Sequence, residues 1–174
     1  MKRITIIIIV VLLCATVGAK ALDVNAPYGS RKNPAWMNYG IHTETSQYSI
    51  DIVVGDVARG DEAYDLIKKQ SMFTSYPPAG YEYLVAAVYV GYVKDKTGTD
   101  KPFSINRHMF AISDSTYTIR ATNEFIYIGE HALDATLYEG GSIIGWLAYQ
   151  VKPDEDYYLV YQDSIWLELT PSQT

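Results

Sequence analysis

Residues 81–93 read YEYLVAAVYVGYV, and only Glu82 among them is charged. Successive side chains of a strand point to opposite faces, so a strand with one wet face alternates apolar and polar residues. This run is apolar on both faces. It belongs to a central strand covered on both sides, or to one long enough to cross an edge. Either way, the chain must fold around it in at least two layers.

The neighbouring segments supply strands for those layers. In QYSIDIVVGDVA (47–58), Tyr48, Ile50, Ile52 and Val54 share one face, with Ser49 and Asp51 opposite. Residues 106–112 and 115–120 read as two strands split by a Ser113-Asp114 turn. Residues 142–151 (SIIGWLAYQV) and 157–162 (YYLVYQ) are separated by the loop KPDED. SIWLEL (164–169) follows, with Ile165, Leu167 and Leu169 on one face. The many tyrosines lie mostly in or beside these strands, where a broad ring packs well on a pleated surface.

One segment has helical spacing. DEAYDLIKKQ (61–70) places acids in its first turn and Lys68 and Lys69 in its last, matching the helix dipole. Ala63, Leu66, Ile67 and Gln70 form one edge, and Gly60 or Asp61 is the expected cap. Short strands at regular intervals, turn residues between them and one short helix predict an immunoglobulin-like antiparallel β-sandwich over residues 39–170. Residues 22–38, with Asn25, Pro27, Gly29, Ser30, Asn33 and Pro34, read as an irregular leader: a linker or an irregular first strand. No internal repeat, heptad pattern or low-complexity run is present.

The first 21 residues are expected to be a secretory signal. Lys2 and Arg3 precede an apolar core, Ile4 to Val17, and Ala19-Lys20-Ala21 is a small-x-small cleavage site. The cut is expected between Ala21 and Leu22. The apolar stretch is short for a spanning helix, which needs about 20 residues; an uncleaved anchor is the main alternative. Lipidation at Cys14 is disfavoured by the bulky Leu13 before it. Setting these residues aside removes Lys2, Arg3, Lys20 and the single cysteine. It leaves 153 residues with 11 basic and 20 acidic side chains, a net of −9. That length buries enough surface to fold without a disulfide or metal. The charge argues against nucleic acid, whose phosphates need a basic face, and against docking to anionic lipid.

The matching segments Asn33-Pro34, RGDEAY (59–64), PPAGYEYLVAAVYVGYV (77–93), SINRHMFAISDS (104–115) and LYEGGSIIGWLAYQV (137–151) cover about residues 33–169. Over this span the chain resembles the bacterial secreted family of unknown function numbered four-three-five-two. That family is grouped with a secreted mycobacterial immunoprotective antigen. The most specific pieces are the acidic-Gly-Gly turn entering the strand with Gly145-Trp146, and the Pro-Pro-x-Gly-x-Glu-Tyr turn. The resemblance implies an immunoglobulin-like fold and an extracytoplasmic compartment. It implies no activity and no catalytic residues.

Catalytic constellations are expected to be absent. Gly140-Gly141-Ser142 leads into a strand and lacks the spacing of a nucleophile elbow. There is no phosphate-cradling glycine loop. His42, His108 and His131 are far apart, with no His-x-x-x-His pair; His108 is expected in a strand, and His42 and His131 in loops or at edges. Asp154-Glu155-Asp156, and Asp95 with Asp100 in DKTGTD, lack the ligand order of a calcium loop and read as solvated hairpin loops. No feature selects a catalytic pair among Glu82, Glu124, Glu130 and Glu139. The Arg-Gly-Asp at 59–61 is read as helix capping. Of Trp36, Tyr39, Trp146, Tyr157, Tyr158 and Trp166, most are expected in the core, with Trp36 the exception; a sugar- or peptide-binding surface is the other reading. The expectation is therefore an exported, non-enzymatic module with no cofactor and no metal. Its partner is a macromolecule, a protein before any other. The alternatives are a secreted effector or inhibitor and a membrane-anchored envelope component.

Overall fold

The computed structural model describes residues 23–121 and 126–170. The expected export signal, Cys14 and Glu124 lie outside them. Among the described residues ten strands and one α-helix follow in order. They are β1 (Ile41–Glu44), β2 (Tyr48–Arg59), α1 (Gly60–Gln70), β3 (Glu82–Asp95), β4 (Phe103–Asn106), β5 (Phe110–Asp114), β6 (Ile119–Ala121), β7 (Asp134–Leu137), β8 (Ser142–Val151), β9 (Tyr157–Tyr161) and β10 (Ile165–Glu168). Single 3-10 turns lie at Arg107–Met109 and Gly129–His131.

One sheet has the order β1-β2-β3-β8 and the other β10-β9-β5-β6; β4 and β7 form a separate pair. Every named pairing is antiparallel. The chain leaves β3 for β5 in the opposite sheet, returns to place β8 beside β3, and crosses again to place β9 beside β5. That alternation is the Greek-key connection of an immunoglobulin-like sandwich.

The double-sided character of β3 has two causes. Leu84, Ala86, Val88, Val90 and Tyr92 face the core between the sheets, with Ile50, Ile52, Val54, Phe110, Leu147 and Leu159. On the opposite face, Tyr83 and Val85 join a second cluster with Ala63, Tyr64 and Ile67 of α1 and with Ile126 and Ile128. Further along that face Val93 is 41% exposed. The helix thus covers only the first half of the strand. Burying a side chain the size of Ile67 contributes about 1.5–3 kcal/mol, enough to hold a short helix that propensity alone would not.

Several expectations need correction. The helix begins at Gly60, preceded by Arg59, and no side chain caps it. Its buried edge is Ala63, Tyr64 and Ile67. Ser113 and Asp114 are not a turn. They are buried residues of β5, which runs on through them. Asp114 organises the turn that follows, because its carboxylate accepts from the Thr116 and Thr118 backbone N–H groups and the Thr116 hydroxyl. Strand β4 ends at Asn106, and His108 sits exposed in a 3-10 turn rather than in a strand.

The leader is not a free linker. Ala35 is fully buried; its N–H donates to the Trp166 carbonyl (2.7 Å), and its own carbonyl accepts from Glu168 N–H (2.8 Å). Trp166 N–H reaches the Gly29 carbonyl (2.7 Å). Ala35 and Leu167 form a parallel bridge, so the leader lies along the otherwise open edge of β10.

Tyr149 on β8 carries a test of the core. Its side chain is almost wholly buried, and its hydroxyl has no partner among the described residues. Burial pushes that hydroxyl's pKa far up. Tyr149→Phe removes an unsatisfied polar atom while keeping the ring. The unfolding free energy, read from urea denaturation, is expected to stay the same or rise by up to about 1 kcal/mol.

Candidate binding surface

The segment between α1 and β3, residues 71–81, has no regular period and a fixed course. Ser71 N–H closes the helix on the Ile67 carbonyl, and Thr74 N–H donates to the Ser71 carbonyl. Tyr81 N–H returns to the Pro78 carbonyl (3.0 Å) across Ala79-Gly80, with Gly80 at φ +82°. A glycine at that place in a turn permits the left-handed backbone that other residues resist. The Tyr83 hydroxyl donates to the Ser75 carbonyl (3.1 Å), fastening the loop to β3.

This fixed loop exposes what a core would normally hide. Met72 is 88%, Phe73 93% and Tyr76 66% exposed, and Tyr127 beside them 61%. The Tyr76 ring stacks on Tyr64 at 3.9 Å and 19°. Tyr64 also carries the Lys68 ammonium over its ring at 5.1 Å. One face of Tyr76 is thereby braced. Phe73, Tyr76, Tyr83 and Tyr127 line a cavity of about 440 Å³. Contiguous exposed apolar side chains beside a cavity mark interaction sites.

The sequence readings did not single out this surface. The available signal was Met72-Phe73 followed by Tyr76, an apolar group outside any strand or helix period and just before Pro77-Pro78.

The residues that the sequence marks as candidates lie elsewhere. Trp36 is 42% and Tyr39 76% exposed, and Trp36 meets Tyr28 and Tyr39 edge-on at 6.4 and 5.7 Å. Tyr157 and Trp166 are buried, while Trp146 and Tyr158 are half-buried. Trp146 stacks on His131 at 4.6 Å. His42 lies on β1, between Asp51 and Glu44, whose carboxylates raise its pKa. Among the described residues no group of metal-ligating side chains gathers. Glu82 is held by Arg59, Glu139 by Lys94 and the Asp95 N–H, and Glu130 lies in the 3-10 turn at Gly129–His131.

The Arg-Gly-Asp is not a displayed tripeptide. The Arg59 guanidinium bonds Glu82 twice (2.6 and 2.7 Å) and the carbonyls of Glu155 and Lys152 (3.0 and 3.2 Å). Its role is a clasp rather than a cap. Among the described residues no helix is long and apolar enough to cross a membrane.

The DKTGTD loop is tighter than a solvated hairpin. Asp95 is buried. One carboxylate oxygen accepts from Thr97 N–H (2.8 Å) and the Thr97 hydroxyl (2.6 Å), the other from Thr99 and Lys101 N–H (3.1 and 3.0 Å). These bonds, the Thr97 hydroxyl's foremost, lower its pKa from 3.8 to about 2. The loop flanks a second cavity of about 380 Å³, walled by Tyr48, Tyr92 and Phe103.

The folded chain thus binds fewer protons at Asp95 than the unfolded chain between those two values. The stability it contributes is fully present above its unfolded value and is lost as pH falls through about 2. Asp114 and Glu139 are lowered as well and act in the same direction. Asp95→Asn is expected to reduce the loss of stability between about pH 5 and pH 2.5, read from urea midpoints at each pH.

No family model and no curated protein matches the chain. Solved structures do. The chain is similar to the yjhA protein from Bacillus subtilis, with 16% identity and a TM-score of 0.51, covering 78% of this chain and 98% of that one. It is similar to the secreted protein MPT63 from Mycobacterium tuberculosis, with 10% identity and a TM-score of 0.51, covering 77% and 95%. It is also similar to a conserved hypothetical protein from Bacillus anthracis, with 12% identity and a TM-score of 0.50, covering 75% and 92%. These likenesses show the fold.

Proposed function

We propose that the chain is an exported, non-catalytic immunoglobulin-like module, of the secreted family four-three-five-two, that binds a macromolecule of the cell envelope or its surroundings. The observation that carries this reading is the exposure of Met72, Phe73 and Tyr76 on a loop held by hydrogen bonds and by stacking on Tyr64. Leaving such side chains in water costs solubility and brings no packing in return, so a rigid scaffold that displays them serves recognition. The similarity to a protein described as secreted supports the compartment, as do Lys2, Arg3 and the apolar core before Ala21.

Two measurements test this reading. Mass spectrometry of the native protein is expected to begin at Leu22; a chain starting at Met1 contradicts cleavage. Retention of the labelled protein on isolated cell envelopes is expected to fall about tenfold in Phe73→Ser, with an unchanged melting temperature. Equal retention contradicts the assignment of the surface.

A further inference from the structure

The chemistry of the 440 Å³ cavity narrows what it holds. Among the described residues, none of those lining it is charged. The aromatic residues Phe73, Tyr76, Tyr83 and Tyr127 share the lining with Ser71, Thr74, Ser75 and Gln150, whose side chains carry hydroxyls and an amide. An acyl chain would cover the half-buried Ser71, Thr74 and Gln150 and offer their polar groups no partner. An anionic ligand would find no cation in the lining. A ligand with flat C–H faces and many neutral hydroxyls satisfies both kinds of wall, stacking on the rings and bonding to the hydroxyls and the amide.

We propose that this cavity is a binding site for a neutral saccharide, with Tyr76 and Tyr127 as stacking platforms and Gln150 as a hydrogen-bonding side chain. This proposal rests on the reading of the chain as a binding module and names its ligand. The site is preformed: Tyr64 braces Tyr76 from behind, and the Tyr83 hydroxyl pins Ser75. Binding therefore orders few side chains, and a tyrosine ring loses little rotamer freedom when it engages. The volume falls within the range of small-ligand sites and suits a few sugar units of a longer chain.

The test is a titration of the mature protein with cellohexaose, maltohexaose and hexa-N-acetylchitohexaose, followed by NMR shifts. A proline-rich decapeptide and the anionic polymer polygalacturonate serve as comparisons. Saturable shifts with at least one neutral hexasaccharide, centred on residues 71–81, 127 and 150, are expected. Tyr76→Ala, Tyr127→Ala and Gln150→Ala should each weaken that binding about tenfold, while Tyr76→Phe keeps it. No saturable binding by any of the three saccharides overturns the proposal, and so does binding by the decapeptide or polygalacturonate alone. The envelope-retention result for Phe73→Ser is read independently, so the binding reading stands or falls on its own measurement.

Discussion

Gly145→Ala is expected to destabilise the fold by about 3 kcal/mol. Gly145 lies on β8 opposite Val88 of β3. Along its other edge run residues 132 and 133: Leu133 N–H donates to the Trp146 carbonyl (3.1 Å), and Ala132 forms a parallel bridge with Trp146. A Cβ at position 145 would lie 2.5 Å from the Leu133 Cα and 2.9 Å from its N and Cβ. The obstacle is backbone, so no rotamer relieves it. Moving the segment away would break its hydrogen bond and uncover Leu133, whose side chain is fully buried. Both costs add, and together they are a large part of the 5–15 kcal/mol typical of a domain. Gly55→Ala is the control, because its added Cβ would meet only the Ala87 carbonyl at an ordinary 3.7 Å. Urea unfolding of the two variants should separate them clearly; similar midpoints would contradict the close approach.

Arg59→Ala is expected to cost about 2–3 kcal/mol. Arg59 ends β2, Glu82 begins β3, and Lys152 and Glu155 lie in the loop between β8 and β9. One planar guanidinium joins all three and lies over the Tyr157 ring at 5.8 Å. The Arg59 and Glu82 side chains are only 29% and 20% exposed. The pair therefore falls between a surface ion pair, worth at most about 1 kcal/mol, and a buried one, whose disruption costs about 3–5 kcal/mol. Arg59→Lys should recover little, because an ammonium cannot bridge a carboxylate and two carbonyls in one plane. A double-mutant cycle with Glu82→Gln should give a coupling of about 1–2 kcal/mol. Additive effects would show that the clasp contributes nothing as a unit.

What could be read from the sequence follows the length of each element and the strength of its period. Strands β2, β3 and β8 are long, and their apolar spacing decides their faces; helix α1 is marked by its acidic start and basic end. Strands β1, β4 and β7 have only four residues each, too few for a period to stand out. IHTE and DATL become strands because a partner lies alongside them. Ser113-Asp114 looks like a turn because an Asx side chain favours the turn after it; tertiary burial keeps both residues in β5. The leader lacks a period as well, and only its hydrogen bonds to β10 reveal its place.

Two of the most specific sequence signatures have physical reasons. Gly145 permits the approach of Leu133, and Gly80 permits the turn that delivers Tyr81 to β3. The candidate surface was harder to read. Sequence can count aromatic residues, and most of those in strands are core or half-buried. It does not reveal that Phe73, Tyr76 and Tyr127, the last some fifty positions beyond the others, meet around one cavity beyond the end of α1.

In the proposed function, the surface built by residues 71–81 and Tyr127 is where the protein binds. Hydrogen exchange of the full chain with and without isolated cell envelopes tests it most directly. Slowed exchange at residues 71–81 and 126–127, with the rest of the sandwich unchanged, is the predicted result. Protection confined to the Trp36–Tyr39 cluster, or no protection anywhere in the chain, would contradict it.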